Sequence, residues 1–182
     1  EMKAIILAAG IGSRMGELTS EKPKCLFEIN GETVIESQIK SLKSYGIDDI
    51  NIVVGYKKEM IIEKCKNLNT KFYTNPLYNK TGVLESLHCA EKELNDSAVI
   101  IYGDIYLKEN TLKEILKNKD DFCLAVDNSK KINYEEENAF ENYANQKIRK
   151  GSTKVSITDG YIKKISKELL PEETSGESVG IT

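Results

Sequence analysis

Residues 7–24, LAAGIGSRMGELTSEKPK, close the apolar run AIIL with three glycines, one arginine and two lysines. Glycine weakens regular structure, so this density of it beside an arginine points to a task beyond connecting two elements. The chemistry on offer is anion binding. Glycines let backbone N–H groups approach an oxyanion closely, and arginine adds bidentate contacts to phosphate oxygens. Two well-known phosphate loops do not fit. The dinucleotide fingerprint G-x-G-x-x-G is met at Gly10 and Gly12, but its third position is Met15 and glycine arrives one residue late at Gly16. The pattern G-x-x-x-x-G-K-[ST] fails because the stretch holds no Gly-Lys pair. What remains is a cradle at Gly10 and Gly12 with Arg14 reaching over it.

Alternating strands and helices must position that cradle. Lys3 to Leu7 reads as a buried strand, and Val34 to Tyr45 sets Ile35, Ile39 and Leu42 at helical spacing before a stop at Gly46. Ile50 to Val54 (INIVV) is a β-branched strand, Lys57 to Cys65 a short helix, and Lys71 to Thr74 a short strand. Val83, Leu87, Ala90 and Leu94 step by 4, 3 and 4, the mark of one helix face. Ala98 to Tyr102 (AVIIY) is a fourth strand running into Gly103-Asp104, Asn110 to Leu116 is helical, and Phe122 to Val126 is a fifth strand. This alternation means crossover connections, hence an α/β chain with a mostly parallel sheet and helices on both faces. Ligands of such sheets bind beyond the carboxyl ends of the strands, where both the glycine loop and Asp104 fall.

After residue 127 the character changes. Residues 128–153 are polar, with Glu135, Glu136 and Glu137 in a row, and read as an excursion or lid. KVSITDGYIKKISK then looks like a hairpin turning at Asp159-Gly160. SVGIT follows as an apparent strand, so a single domain lacking its C-terminal end is expected.

Bulk properties narrow the function classes. The 182 residues suit one domain with a real core, and 40% hydrophobic with 30% charged residues suit a soluble globular chain. A net charge of −3 is a poor footprint for a nucleic-acid binder. No apolar stretch approaches the roughly 18 residues of a membrane span, and no export signal is seen, so no membrane partner and a cytoplasmic location are expected. Cys25, Cys65, Cys89 and Cys123 are widely spread with no CxxC pair, which favours reduced structural thiols.

AIILAAGIGSRM…PK resembles the signature of the nucleotidyltransferases that make activated sugars, cholines and related small phosphoesters. The matched positions are Leu7, Ala8, Ala9, Gly10, Gly12, Ser13, Arg14, Thr19, Pro23 and Lys24. VIIYGDIYL resembles the family strand that ends in a metal-binding aspartate, placed at Asp104. IKKISK resembles a late strand whose lysine, Lys167 here, meets the acceptor phosphate, and GESVGIT puts Glu177 near the acceptor. Branches of the family differ. Methylerythritol-pathway enzymes carry a His-Asp-x-x-Arg-Pro motif where this chain reads Gly103-Asp104-Ile105-Tyr106, and hexose-phosphate enzymes a Gly-Thr-Ala stretch where it reads Lys80-Thr81-Gly82. NPLYNKTGVLESL is more similar to the small cytidylyltransferases of the phosphocholine and phosphonate type, matching at Asn75, Tyr78, Ser86 and Leu87.

The resemblance implies a Rossmann-like three-layer sandwich with a mostly parallel mixed sheet, of the nucleotide-diphospho-sugar transferase type. It implies transfer of CMP from CTP to a small phosphorylated or phosphonate acceptor, with Mg²⁺ and release of pyrophosphate. Nucleotide contacts would come from Leu7, Ala8, Ala9, Gly10, Gly12, Ser13, Arg14, Lys24, Asn75, Tyr78, Gly82 and Ser86, with Arg14 and Lys24 catalytic. A second metal carboxylate, usual in the family, has no obvious match before Thr182. A sugar-1-phosphate transferase using UTP, dTTP or CTP, and a sensing module that kept the fold, are the alternatives. The family also leaves room for a homo-oligomer or fusion to another enzyme domain.

Plainer roles stand beside these. Asp104 could be a helix N-cap, Lys167 a solvated lysine, and Lys147, Arg149 and Lys150 ordinary surface. His88, the one histidine, reads as a partly buried structural residue. Glu135 to Glu137 read as a solvated face or as contacts for a cationic head group, which Tyr134 and Tyr143 could help to cage.

Overall fold

The computed structural model describes residues 2–12, 18–107, 109–127 and 153–182. They separate into two compact units, Glu1–Cys123 with Gly180–Thr182, and Leu124–Val179.

The first unit is built on strands β1 (Lys3–Ala8), β4 (Ile50–Val54), β5 (Lys71–Thr74) and β6 (Ala98–Tyr102), in the order β5-β4-β1-β6 and all parallel. Ile181 adds an antiparallel bridge to Ile101, so the sheet is mixed. All five residues of β4 are buried, which explains why INIVV reads as an unbroken apolar run rather than an alternating one. On one face Ile5 and Val53 pack with Ala9, Ala90 and Leu87. Their alternating neighbours Ile6, Ile52 and Ile101 are as deeply buried, so both faces are covered.

Between β1 and β4 lie α1 (Leu18–Glu21), a two-stranded hairpin of β2 (Glu28–Ile29) and β3 (Glu32–Thr33), and α2 (Val34–Ser44). The hairpin turns on Asn30-Gly31, both with left-handed φ of 55° and 82°, the signature of a two-residue turn. Thr33 and Glu36 form a reciprocal capping box that fixes the start of α2. Gly46, at φ 78°, ends it as its position implies. After β4 come α3 (Lys58–Cys65), β5, α4 (Val83–His88), β6 and α5 (Glu109–Lys117).

Two expectations are corrected. The stripe Val83, Leu87, Ala90, Leu94 is not one helix face. α4 stops at His88, the chain tightens into a 3-10 turn at Glu91–Glu93, and Val83 and Leu94 are exposed. The tighter turn directs Glu93 onto Lys3 of β1 (2.8 Å) and the Tyr73 hydroxyl of β5, contacts a continued helix would not offer. Phe122 to Val126 is not a strand either. Phe122 is 62% exposed, and only Val126–Asp127 pairs with a neighbour. That run lies where the chain passes from one unit to the other, so its apolar residues have no common sheet to join.

The second unit is an antiparallel sheet of β7 (Val126–Asp127), β8 (Lys154–Thr158), β9 (Tyr161–Ser166) and β10 (Gly176–Ser178), in the order β7-β10-β8-β9. Asp159 and Gly160 turn the β8–β9 hairpin with φ of 52° and 81°, as the Asp-Gly pair predicts. The expected lid falls almost wholly outside the described residues, and with it Tyr134, Glu135 to Glu137, Tyr143, Lys147, Arg149 and Lys150. No described helix is long and apolar enough to cross a membrane.

The Lys3–Glu93–Tyr73 cluster makes stability depend on acid pH. Hydrogen bonds from Lys3 and Tyr73 lower the Glu93 pKa from 4.5 to about 2. Its stabilisation is therefore complete above pH 4.5 and fades as pH falls from 4.5 toward 2, because the unfolded chain takes up the proton first. Glu93→Gln should cost about 2 kcal/mol at pH 7 and flatten the loss of melting temperature between pH 4.5 and 2, as scanning calorimetry would show.

Candidate active site

The parallel register of β1 and β6 sets Leu7 opposite Tyr102, so the glycine loop and Gly103-Asp104 leave the sheet side by side. Gly103 donates its N–H to the Leu7 carbonyl at 2.9 Å. A Cβ on Gly103 would lie 2.9 Å from the Ala8 Cβ and 3.1 Å from the Leu7 oxygen, so only glycine permits this approach. On the other side, Tyr56 after β4 donates its N–H to the Ala9 carbonyl at 3.0 Å. Three strand ends thus meet at one carboxyl edge.

A cavity of about 310 Å³ opens there. Its floor is Leu7, Ala8, Ala9, Gly10 and Gly12, and one side carries Pro23, Lys24 and Cys25. Tyr78, Thr81, Gly82, Val83 and Ser86 form a second side, and Tyr102, Gly103 and Asp104 a third. Lys24 Nζ lies 3.2 Å from Asp104 Oδ2, with the aspartate 42% exposed. Among the described residues these are the cavity's one cation and one carboxylate. Gly12 has φ 74°, and the Lys24 side chain crosses the space a Cβ there would fill, with Cγ and Cδ both 3.0 Å away. Gly12 therefore serves the turn and leaves Lys24 its path.

The chain entering Lys24 is held from the neighbouring loop. Tyr56 donates its hydroxyl to the Thr19 carbonyl (2.9 Å), and Lys57 donates Nζ to the carbonyls of Ser20 (2.6 Å) and Glu21 (2.8 Å) at the end of α1. A lysine on the last carbonyls of a helix is a favourable cap. Nothing in the spacing of Tyr56 and Lys57 signals this role, which depends on β4 lying beside β1.

Asn75 is buried and does not line the cavity. Its carbonyl accepts from Leu77 N (2.9 Å), and its amide donates to Thr81 Oγ1 (3.1 Å) and Ser86 Oγ (3.0 Å), bracing the wall from behind. Ser13 and Arg14 lie outside the described residues. Lys167 follows β9 and is exposed, while Glu177 is half-buried in β10 opposite Asp127 and Lys154, both in the second unit. His88 is exposed rather than partly buried, with Nδ1 2.8 Å from Glu91 Oε2.

Cys25 lines the cavity but is buried. Burial above all, with the nearby Cys65 thiol adding to it, pushes its pKa up to about 12, so it stays a neutral thiol beside Lys24. No group of three or more histidine, cysteine or acidic side chains that could hold a metal occurs among the described residues. An exposed carboxylate beside a glycine-lined cavity suits Mg²⁺, which is held by one or two carboxylates with phosphate oxygens and water. Asp104 meets that donor set.

Residues 4–149 match the family model described as the MobA-like NTP transferase domain. The chain belongs to this family. It is similar to a CTP:phosphoglutamine cytidylyltransferase of Campylobacter jejuni, 33% identical over 135 residues, covering 70% of this chain and 53% of that protein. It is also similar to a choline-phosphate cytidylyltransferase of Streptococcus pneumoniae, 40% identical over 115 residues, covering 63% of this chain and 50% of that protein. The chain thus spans about half the length of the curated relatives it matches. The solved CTP:phosphocholine cytidylyltransferase of S. pneumoniae superposes with a TM-score of 0.67 at 26% identity, over 99% of this chain and 69% of that one. The expected α/β transferase fold is the one observed.

Gly12→Ala should displace the Lys24 side chain and, because φ there is 74°, also lower the melting temperature. Scanning calorimetry and a crystal structure of the variant, in which Lys24 Nζ is expected to leave Asp104, would check both.

Proposed function

We propose that this chain carries the transfer of CMP from CTP to a small phosphorylated or phosphonate acceptor of the phosphocholine type, with Mg²⁺ and release of pyrophosphate. The observation that carries the reading is the pairing of Lys24 with Asp104 at 3.2 Å across a cavity floored by the glycine loop. The similarity to the Campylobacter and Streptococcus cytidylyltransferases supports CTP as donor. A non-catalytic sensor has no use for a lysine placed against the nucleotide beside a carboxylate.

The reaction asks little proton transfer of the protein. A phosphate acceptor is largely dianionic near neutral pH, its second pKa being about 6. One of its oxygens attacks the α-phosphorus of CTP, a new P–O bond forms, and the bond to the bridging oxygen breaks as pyrophosphate leaves. Two anions must meet in line, so the barrier is lowered by positioning and positive charge. Gly10 and Gly12 seat the triphosphate. Lys24 neutralises charge developing at the α-phosphate, and Arg14 the charge on the departing β- and γ-phosphates. Lys167 and Glu177 are assigned to the acceptor. Asp104 would hold Mg²⁺, which when bound spreads the phosphate charge and orients the departing group.

Lys24→Ala and Asp104→Ala should each lower pyrophosphate release by about 10²-fold or more, with unchanged circular dichroism. The assay is run with CTP, UTP, dTTP and ATP against phosphocholine, 2-aminoethylphosphonate and sugar phosphates. Turnover with UTP or dTTP and a sugar 1-phosphate would favour the sugar branch. Nucleotide binding without pyrophosphate release would favour a sensor, and near-normal turnover of Lys24→Ala would remove the role given to that lysine.

A further inference from the structure

Gln38 is a polar residue on the apolar face of α2. Its neighbours on that face, Val34, Ile35, Ile39 and Leu42, are core, and Gln38 itself is 0% exposed. Its amide Nε2 donates to the carbonyl of Tyr102 at 2.9 Å and to that of Ile105 at 2.6 Å. Those two carbonyls flank Gly103-Asp104 on either side. Two acceptors facing one terminal atom fix which end of the amide is nitrogen. The other end, Oε1, is buried with no hydrogen-bond partner among the described residues.

A residue kept only for packing would not be built this way. Leucine would fill the same space without stranding an acceptor. The Tyr102 carbonyl does not need Gln38, since it already accepts from Ile105 N at 3.1 Å across the turn. What the amide adds is a clamp joining both ends of the turn to a helix whose start is locked by the Thr33–Glu36 capping box. The Asp104 side chain is exposed and, among the described residues, its hydrogen-bond partner is the flexible Lys24, which does little to hold the backbone.

We propose that Gln38 is a positioning residue for Asp104, setting the backbone turn from which the carboxylate reaches the metal and nucleotide. The proposal rests on the reading of Asp104 as the metal ligand. Groups that orient a metal ligand typically govern affinity by 10- to 100-fold when removed.

Gln38→Met keeps the length of the side chain and removes the amide. Two measurements on the purified protein test it. Hydrogen exchange without ligand should show faster exchange in residues 102–107, and Mn²⁺ binding with CTP present, followed by electron paramagnetic resonance, should weaken about 10-fold. The apparent KM for CTP should move far less than the metal requirement. Faster exchange with unchanged Mn²⁺ affinity would leave Gln38 a structural residue and overturn the proposal, as would no change in either. Asp104→Ala is the control. If wild type shows no Mn²⁺ site that this variant removes, the reading of Asp104 fails and takes the proposal with it. If the control behaves and Gln38→Met binds Mn²⁺ like wild type, Gln38 alone is refuted. Should Gln38→Met not fold, Gln38→Asn, which retains the amide but shortens its reach, is put to the same comparison with the same expected losses.

Discussion

β1 and β6 lie side by side in parallel, Leu7 against Tyr102, and every distance in the candidate site descends from that register. A slip of one residue would turn each strand's side chains to the opposite face and separate the glycine loop from Asp104. The register is held where it matters. Gly103 has no side chain because Ala8 and the Leu7 carbonyl occupy that space, and its N–H extends the ladder one step beyond the strand. Lys24 and Asp104 are 80 positions apart in sequence. They meet because Asp104 directly follows β6, while the chain after β1 returns through α1 to bring Lys24 back to the same edge.

Around this contact the described residues supply fixed backbone. β4 contributes Tyr56 and Lys57, which hold the carbonyls of α1 and so the approach to Pro23-Lys24. Asn75 braces the Tyr78–Ser86 wall from behind, and Gln38 braces the Asp104 turn from α2. These side chains are polar and largely turned away from the cavity. For the proposed reaction, in which two anions meet, such rigid placement is an advantage, since donors that need not reorganise stabilise a transition state best.

Much of this was legible in the sequence, for physical reasons. INIVV and AVIIY have the composition and length of strands in a sheet core and KFYT those of a short strand, and the structure has them at Ile50–Val54, Ala98–Tyr102 and, at the sheet edge, Lys71–Thr74. Gly10 and Gly12 after β1 and the Pro23-Lys24 pair, singled out by their spacing, line one cavity in the structure. The stripe Val83 to Leu94 misled because spacing does not reveal that Glu93 is drawn to Lys3 and Tyr73. FCLAV misled because composition does not reveal where one compact unit gives way to the next. The Asn30-Gly31 hairpin was overlooked because its strands are two residues each, too short for any alternation to show. Tyr56, Lys57 and Gln38 carry no signal of their own. Their roles arise only when separate strands and a helix come together.

In the proposed function the loop after β1 receives the triphosphate with Asp104 beside it. The direct measurement is a crystal structure of the protein with CTP and Mg²⁺. Triphosphate oxygens are expected against Gly10 and Gly12, Mg²⁺ on Asp104, and the Lys24 ammonium moved from the aspartate to the α-phosphate. A triphosphate bound away from that loop, or a metal that does not touch Asp104, would contradict the proposal.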